Sequence, residues 1–132
     1  MGRTLFVAGH VCRRMLTDAA GTEFGRAFEH FLLLEIIAAR GYREQTWPVE
    51  FWRTKSGLEV DFVLNRGEVA VEAKARVRGG DLRPMTAFVE EFAPRRAIVV
   101  TAEDDRRRIG AIDVMPWTEF LELLHGGTLL GS

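Results

Sequence analysis

A chain of 132 residues accommodates one hydrophobic core of ordinary size, and a two-domain organisation is excluded on length. Apolar residues make up 47% and charged residues 28% of it, the balance of a soluble globular protein rather than a disordered or fibrous one. Its 18 basic and 19 acidic residues leave a formal charge of −1, so a general polyelectrolyte attraction to nucleic acid is excluded and any such contact needs a local patch.

Residues 1–20 form an N-terminal segment in which the pattern does not choose between strand and helix, and residues 21–132 read as a single domain. Gly21-Thr22 offers a stop and an N-cap for a first helix running to about Arg40 and closed by Gly41. Phe24, Phe28, Phe31, Leu32, Leu34, Ile36 and Ile37 cover almost its whole circumference, which predicts a helix sandwiched between a sheet and something else. Three strands follow, about Thr46 to Arg53, Leu58 to Leu64 and Glu68 to Ala75, separated by the turn sequences Lys55-Ser56-Gly57 and Asn65-Arg66-Gly67. A second amphipathic helix, about Asp81 to Phe92, ends before Pro94. The β-branched run Ala97 to Thr101 predicts a buried strand, Ile112 to Met115 a short one, and Trp117 to Leu124 a closing helix. The expected fold is α/β: a mixed central sheet with helices packed on its faces.

Two of these strands carry acids on one face. In Leu58 to Leu64 the even positions are apolar and Glu59 and Asp61 share the other side; in Val69 to Ala75, Glu72 and Lys74 share a side. A connecting loop of two or four residues pairs positions whose numbers sum to 133 and keeps the apolar faces together, whereas a three-residue loop scrambles them. That register sets Asp61 opposite Glu72, a like-charge pair that destabilises on a scale of roughly 0.2–1 kcal/mol. A hard divalent cation converts the repulsion into chelation, since Mg²⁺ takes one or two carboxylates plus waters. Lys74, two residues beyond Glu72, points the same way and can hold or polarise a water. It is one of only two lysines, with Lys55, in an otherwise arginine-based set of cations. Against this stands the plain alternative that these charges decorate a solvated strand face.

The combination of a helix acid, opposed hairpin acids and a nearby lysine resembles the PD-(D/E)XK phosphodiesterase superfamily. The matching segments are Gly25-Arg26-Ala27-Phe28-Glu29, Glu59-Val60-Asp61-Phe62-Val63 and Glu72-Ala73-Lys74. With Phe51-Trp52-Arg53-Thr54-Lys55 and Met115-Pro116-Trp117 added, the chain is similar to a nuclease-like domain found at the C-terminal end of many prokaryotic AAA-type ATPases, over about residues 20 to 125. The resemblance implies a restriction-endonuclease-like αβββαβ core. It implies a Mg²⁺- or Mn²⁺-dependent nuclease acting on DNA, with Asp61, Glu72 and the Ala73 carbonyl holding the metal, Glu29 in support and Lys74 orienting the water. Val60 stands where the superfamily's name has proline. No G-x-x-x-x-G-K-[ST] phosphate loop occurs in these 132 residues, so NTP hydrolysis is not expected of them: either the domain stands alone or the ATPase is elsewhere.

Glu29 and Glu35 both compete for the role of helix acid; six residues apart, they point about 120° away from one another. Glu29 is favoured because it follows the Gly-x-x-Phe segment, and Glu35 is expected to pair with an arginine. Arg76, Arg78 and Arg83, just beyond the site, are the expected phosphate contacts, while Arg106-Arg107-Arg108 reads as a solvated loop of mixed charge. His10, His30 and His125 lack metal-ligand spacing, and Cys12 lacks a neighbouring histidine for thiol chemistry and a partner for a disulfide. Trp47, Trp52 and Trp117 read as core or sheet-face aromatics, with base stacking by Trp52 the less ordinary alternative. The start Met1-Gly2-Arg3 lacks a signal-peptide stretch, and the apolar run Phe31 to Ala39 is too short for a membrane span and contains Glu35; a cytoplasmic location without membrane contact is expected. The second functional reading is a catalytically silent nuclease-fold module that binds DNA or docks an AAA-type ATPase. Oligomeric state is left open, a homodimer included.

Overall fold

A computed structural model describes residues 4–7 and 23–131. The Gly21-Thr22 cap, His10, Cys12 and most of the N-terminal segment lie outside the described residues. In chain order the elements are β1 (Thr4–Val7), α1 (Glu23–Tyr42), β2 (Val49–Arg53), β3 (Glu59–Leu64), β4 (Val69–Ala73), α2 (Arg83–Phe92), β5 (Arg96–Thr101), β6 (Arg107–Ile109), β7 (Ile112–Pro116) and α3 (Trp117–His125). The expected α-β-β-β-α-β order is present.

Among the described residues the strands form one sheet in the order β1-β2-β3-β4-β5-β7-β6. From β1 to β4 the pairing is antiparallel, β4, β5 and β7 run parallel, and β6 returns antiparallel at the edge. Two apolar layers sandwich this mixed sheet. On one face Leu32, Leu33 and Ile36 of α1 and Phe120 and Leu124 of α3 pack with Phe62, Leu64, Val71 and Ile98. On the other, Met85 and Phe88 of α2 pack with Trp52, Val63, Ala70 and Val99. Coverage on both faces explains why the central strands read as continuous apolar runs, with every β5 residue after Arg96 buried.

The β3–β4 hairpin takes the predicted register: Phe62 pairs Val71, Val63 pairs Ala70 and Leu64 pairs Val69, each summing to 133. Its loop is the four residues between Leu64 and Val69, where Asn65, Arg66 and Gly67 all take positive φ, a conformation that glycine adopts without strain.

Several expectations are corrected. Helix α1 runs through Gly41 to Tyr42; the chain turns instead at Glu44, whose φ is 54°, with Gln45 N–H donating to the Arg40 carbonyl. The helix is covered on one side rather than all round: Phe24, Phe31 and Leu34 are exposed. Residues Arg107–Ile109 form an edge strand, not a loop. All three are exposed, so no alternation announced it; the main-chain ladder to β7 defines it. Likewise the N-terminal segment supplies β1, an edge strand on β2.

Candidate metal centre

In α/β sheets of this kind, side chains meet beyond the carboxyl ends of the parallel strands. Glu72 and Ala73 finish β4, and Lys74 extends it by donating its backbone N–H to the Val100 carbonyl of β5 at 2.9 Å. Because β3 runs the other way, its first residues arrive at this same end of the sheet. Here lies a pocket of about 230 Å³ whose walls include Glu29 of α1, Glu59 and Asp61 of β3, and Glu72, Ala73 and Lys74. All the residues proposed from sequence for catalysis and metal binding thus share one cavity, and the sheet-face arrangement is not the solvated one of the plain alternative: Asp61 is 7% and Glu72 3% exposed.

A β-bulge shapes the β3 side. Glu50 pairs Val63 and Trp52 pairs Val60, so the two residues Asp61 and Phe62 stand against the single Phe51. The expected strict alternation of Val60, Phe62 and Leu64 on one face is therefore corrected: Val60 packs in the α2 layer, and Phe62 and Leu64 in the α1/α3 layer. Bulges bend a strand and re-aim a side chain. Here the Oδ2 of Asp61 accepts a hydrogen bond from the Ala73 backbone N–H at 2.8 Å, tying β3 to the end of β4.

Glu72 is the electrostatic centre of the pocket. Its Oε2 lies 3.5 Å from Lys74 Nζ, while Oε1 is buried without a hydrogen-bond partner. Burial first, and the Asp61 carboxylate second, push the Glu72 carboxyl up from an ordinary 4.5 to about 8, with Lys74 pulling the other way. Burial alone would pull the Lys74 ammonium down, but the fields of Glu72, Asp61 and Asp81 outweigh it and hold it above its ordinary value. The ammonium is thus a donor at neutral pH, not a free base.

An orphaned carboxylate oxygen beside a second buried acid is a donor set short of positive charge, and it suits a hard cation. Among the described residues no group of three or more His, Cys, Asp or Glu forms a metal cage; a set of Asp61, Glu72 and the Ala73 carbonyl has two carboxylates, within what Mg²⁺ accepts when waters complete its shell.

The competition on α1 is resolved in space. Glu29 lines the pocket, whereas Glu35 pairs with His125 of α3, Nε2 to Oε1 at 2.7 Å. Its partner is a histidine rather than the expected arginine. Of the phosphate-contact candidates, Arg78 and Arg83 line a second, larger groove, and Arg76, though exposed, does not. Trp52 is 1% exposed and packs edge-on against Phe88 and Phe92, which removes it from base stacking. Sequence reasoning missed Pro84, which brings the start of α2 into the pocket wall, and Arg107, which lines the larger groove.

A protein family described as a domain of unknown function, DUF4143, matches residues 24–120, most of the chain. The chain belongs to the DUF4143 family. No curated protein and no solved structure matches it. The matched span of this DUF4143 domain starts one residue after α1 begins and ends inside α3, so it takes in Glu29, Asp61, Glu72 and Lys74 alike. No described helix is long and apolar enough to cross a membrane.

Proposed function

We propose that the chain is a divalent-metal-dependent nuclease of the PD-(D/E)XK kind, hydrolysing DNA phosphodiester bonds on a restriction-endonuclease-like core. The observation that carries this reading is the pairing of two buried carboxylates, Asp61 and Glu72, with the Lys74 ammonium in the same pocket. Asp61, Glu72 and the Ala73 carbonyl would hold Mg²⁺ or Mn²⁺, and the cation would supply Lewis-acid polarisation and charge neutralisation at the scissile phosphate.

The chain's own residues supply positioning and a proton path. Lys74, held charged by the surrounding acids, donates a hydrogen bond to the attacking water or to a non-bridging phosphate oxygen, where negative charge grows during displacement. The hydrogen bond from Ala73 N–H to Asp61 fixes the orientation of the Asp61 carboxylate and restrains the strand end that bears the Ala73 carbonyl, so little is left to reorganise on loading. Glu29 faces the pocket from α1 and orients water around the two ligands. Glu72 must surrender its proton before it can ligate, which makes loading pH-dependent.

The test is incubation of the purified chain with single-stranded and duplex DNA in Mg²⁺, Mn²⁺ or EDTA. Metal-dependent cleavage that disappears in Asp61→Asn and falls steeply in Lys74→Ala is expected; cleavage indifferent to both variants refutes the assignment. Metal binding without any turnover would instead mark a silent module of the same fold, able to bind DNA or dock an AAA-type ATPase.

A further inference from the structure

Adjoining the acidic pocket is a groove of about 620 Å³. The two cavities share their walls through consecutive residues: Gly57 and Glu59 line the pocket with Leu58 between them in the groove, and Pro84 lines the pocket while Leu82 and Arg83 line the groove. The groove has an aliphatic floor that includes Leu58, Leu82 and Ile109, and arginines at Arg78, Arg83 and Arg107. Ile109 is 42% exposed on an edge strand, an apolar side chain that the fold leaves uncovered. The three guanidiniums make no ion pair or hydrogen bond among the described residues. In contrast, the neighbours of Arg107 are occupied: Arg106 with Glu119 and Asp113, Arg108 with Asp113 at 3.1 Å. Glu90 is the one acid in the lining, and it sits about two turns along α2 from Arg83, away from the Pro84 end.

We infer that this groove receives an unpaired stretch of the DNA strand whose phosphate enters the acidic pocket. The inference rests on the nuclease reading of that pocket and adds the form of the substrate. Free guanidiniums suit phosphates and the faces of bases. An aliphatic floor suits base faces, which a duplex buries in its own stack and only an unpaired strand presents. The aliphatic residues Leu58, Leu82 and Ile109 offer no donors or acceptors to base edges, so they hold an unpaired strand without reading its sequence. The volume falls within the roughly 300–1,000 Å³ of small-ligand sites, the scale of a nucleotide and not of a double helix.

The experiment is fluorescence anisotropy of the wild-type chain in EDTA, where cleavage is off, with one labelled single strand and the same strand annealed to its complement. Tighter binding of the single strand is expected. Arg83→Ala and Arg107→Ala should each weaken it about fivefold, as expected for an exposed charge contact of about 1 kcal/mol. The double variant should flatten the log–log salt dependence by about 1.4, two single-strand phosphate contacts at about 0.7 each. Ile109→Glu should weaken binding too, and Arg66→Ala, in the β3–β4 turn at the opposite end of the sheet, should not. Equal affinity for duplex, no binding of either DNA, or no loss in Arg83→Ala/Arg107→Ala overturns the inference. Calorimetric titration of Mn²⁺ into the same preparations separates the two readings: metal binding with no strand preference sinks the groove alone, and strand binding with no metal affinity sinks the nuclease.

Discussion

Asp61 holds Ala73 by the backbone, through a 2.8 Å hydrogen bond from Ala73 N–H to Oδ2. One carboxylate therefore has two separable duties: it ties β3 to β4 just beyond the last ladder pair, Phe62 with Val71, and its charge, ahead of that of Asp81, raises the Glu72 pKa.

Asparagine and alanine pull those duties apart. Asp61→Asn keeps an oxygen acceptor for Ala73 while removing the charge, so the fold should be retained, with the Glu72 pKa falling from about 8 and Mn²⁺ affinity reduced by about tenfold or more. Asp61→Ala also removes the acceptor of the partly buried Ala73 N–H, a further loss of about 1 kcal/mol of stability. Thermal melts read the first duty and calorimetry the second. Equal melting of the two variants would show that the hydrogen bond is not structural.

Lys74 acts as a charged donor in this arrangement. Lys74→Met should lower the cleavage rate by about 10²–10³-fold with Mn²⁺ affinity little changed, and Lys74→Arg should recover part of the rate by keeping the charge. Were Lys74 a proton acceptor, arginine would recover nothing, because guanidinium does not deprotonate in the working range. Single-turnover rates with saturating Mn²⁺ distinguish these outcomes.

Much of this site was legible in the sequence because parity and loop length are strong constraints. Register 133 follows from keeping Val63 with Ala70 and Leu64 with Val69 on their own sides, and a slip by one residue would set each residue against one that belongs to the opposite layer. What parity could not show was the bulge at Asp61-Phe62, which depends on the register of β2 rather than on anything within Leu58 to Leu64. The pairing of Glu35 with His125 spans 90 positions and has no local signature. Edge strand β6 escaped for a related reason: three exposed residues carry no hydrophobic period, and their identity as a strand comes from β7.

Glu29 and Glu35 offer a comparison within one helix. Glu29→Gln should reduce cleavage by about tenfold or more through loss of pocket charge, with little effect on the melting temperature. Glu35→Gln touches only the partly exposed pair with His125 and should change stability by about 1 kcal/mol or less and leave the rate alone. The reverse pattern would move the helix acid to Glu35.

Glu72 makes the free protein and the loaded protein respond to pH in opposite ways. Its folded carboxyl titrates at about 8, against an ordinary 4.5. Between those values the folded state binds a proton that the unfolded chain has released. Stability linked to this group is therefore full below about pH 4.5 and is lost as pH rises towards 8. In EDTA the melting temperature should decline across that window, and Glu72→Gln, which stays neutral, should abolish the decline and melt higher than the native chain at pH 8. Mn²⁺ reverses the slope for the native chain, because the ligand it needs is the deprotonated carboxylate: affinity rises with pH, and binding at pH 7 releases about one proton. Calorimetry in two buffers of different ionisation enthalpy counts that proton, and a count near zero would mean that Glu72 is already ionised before the cation arrives.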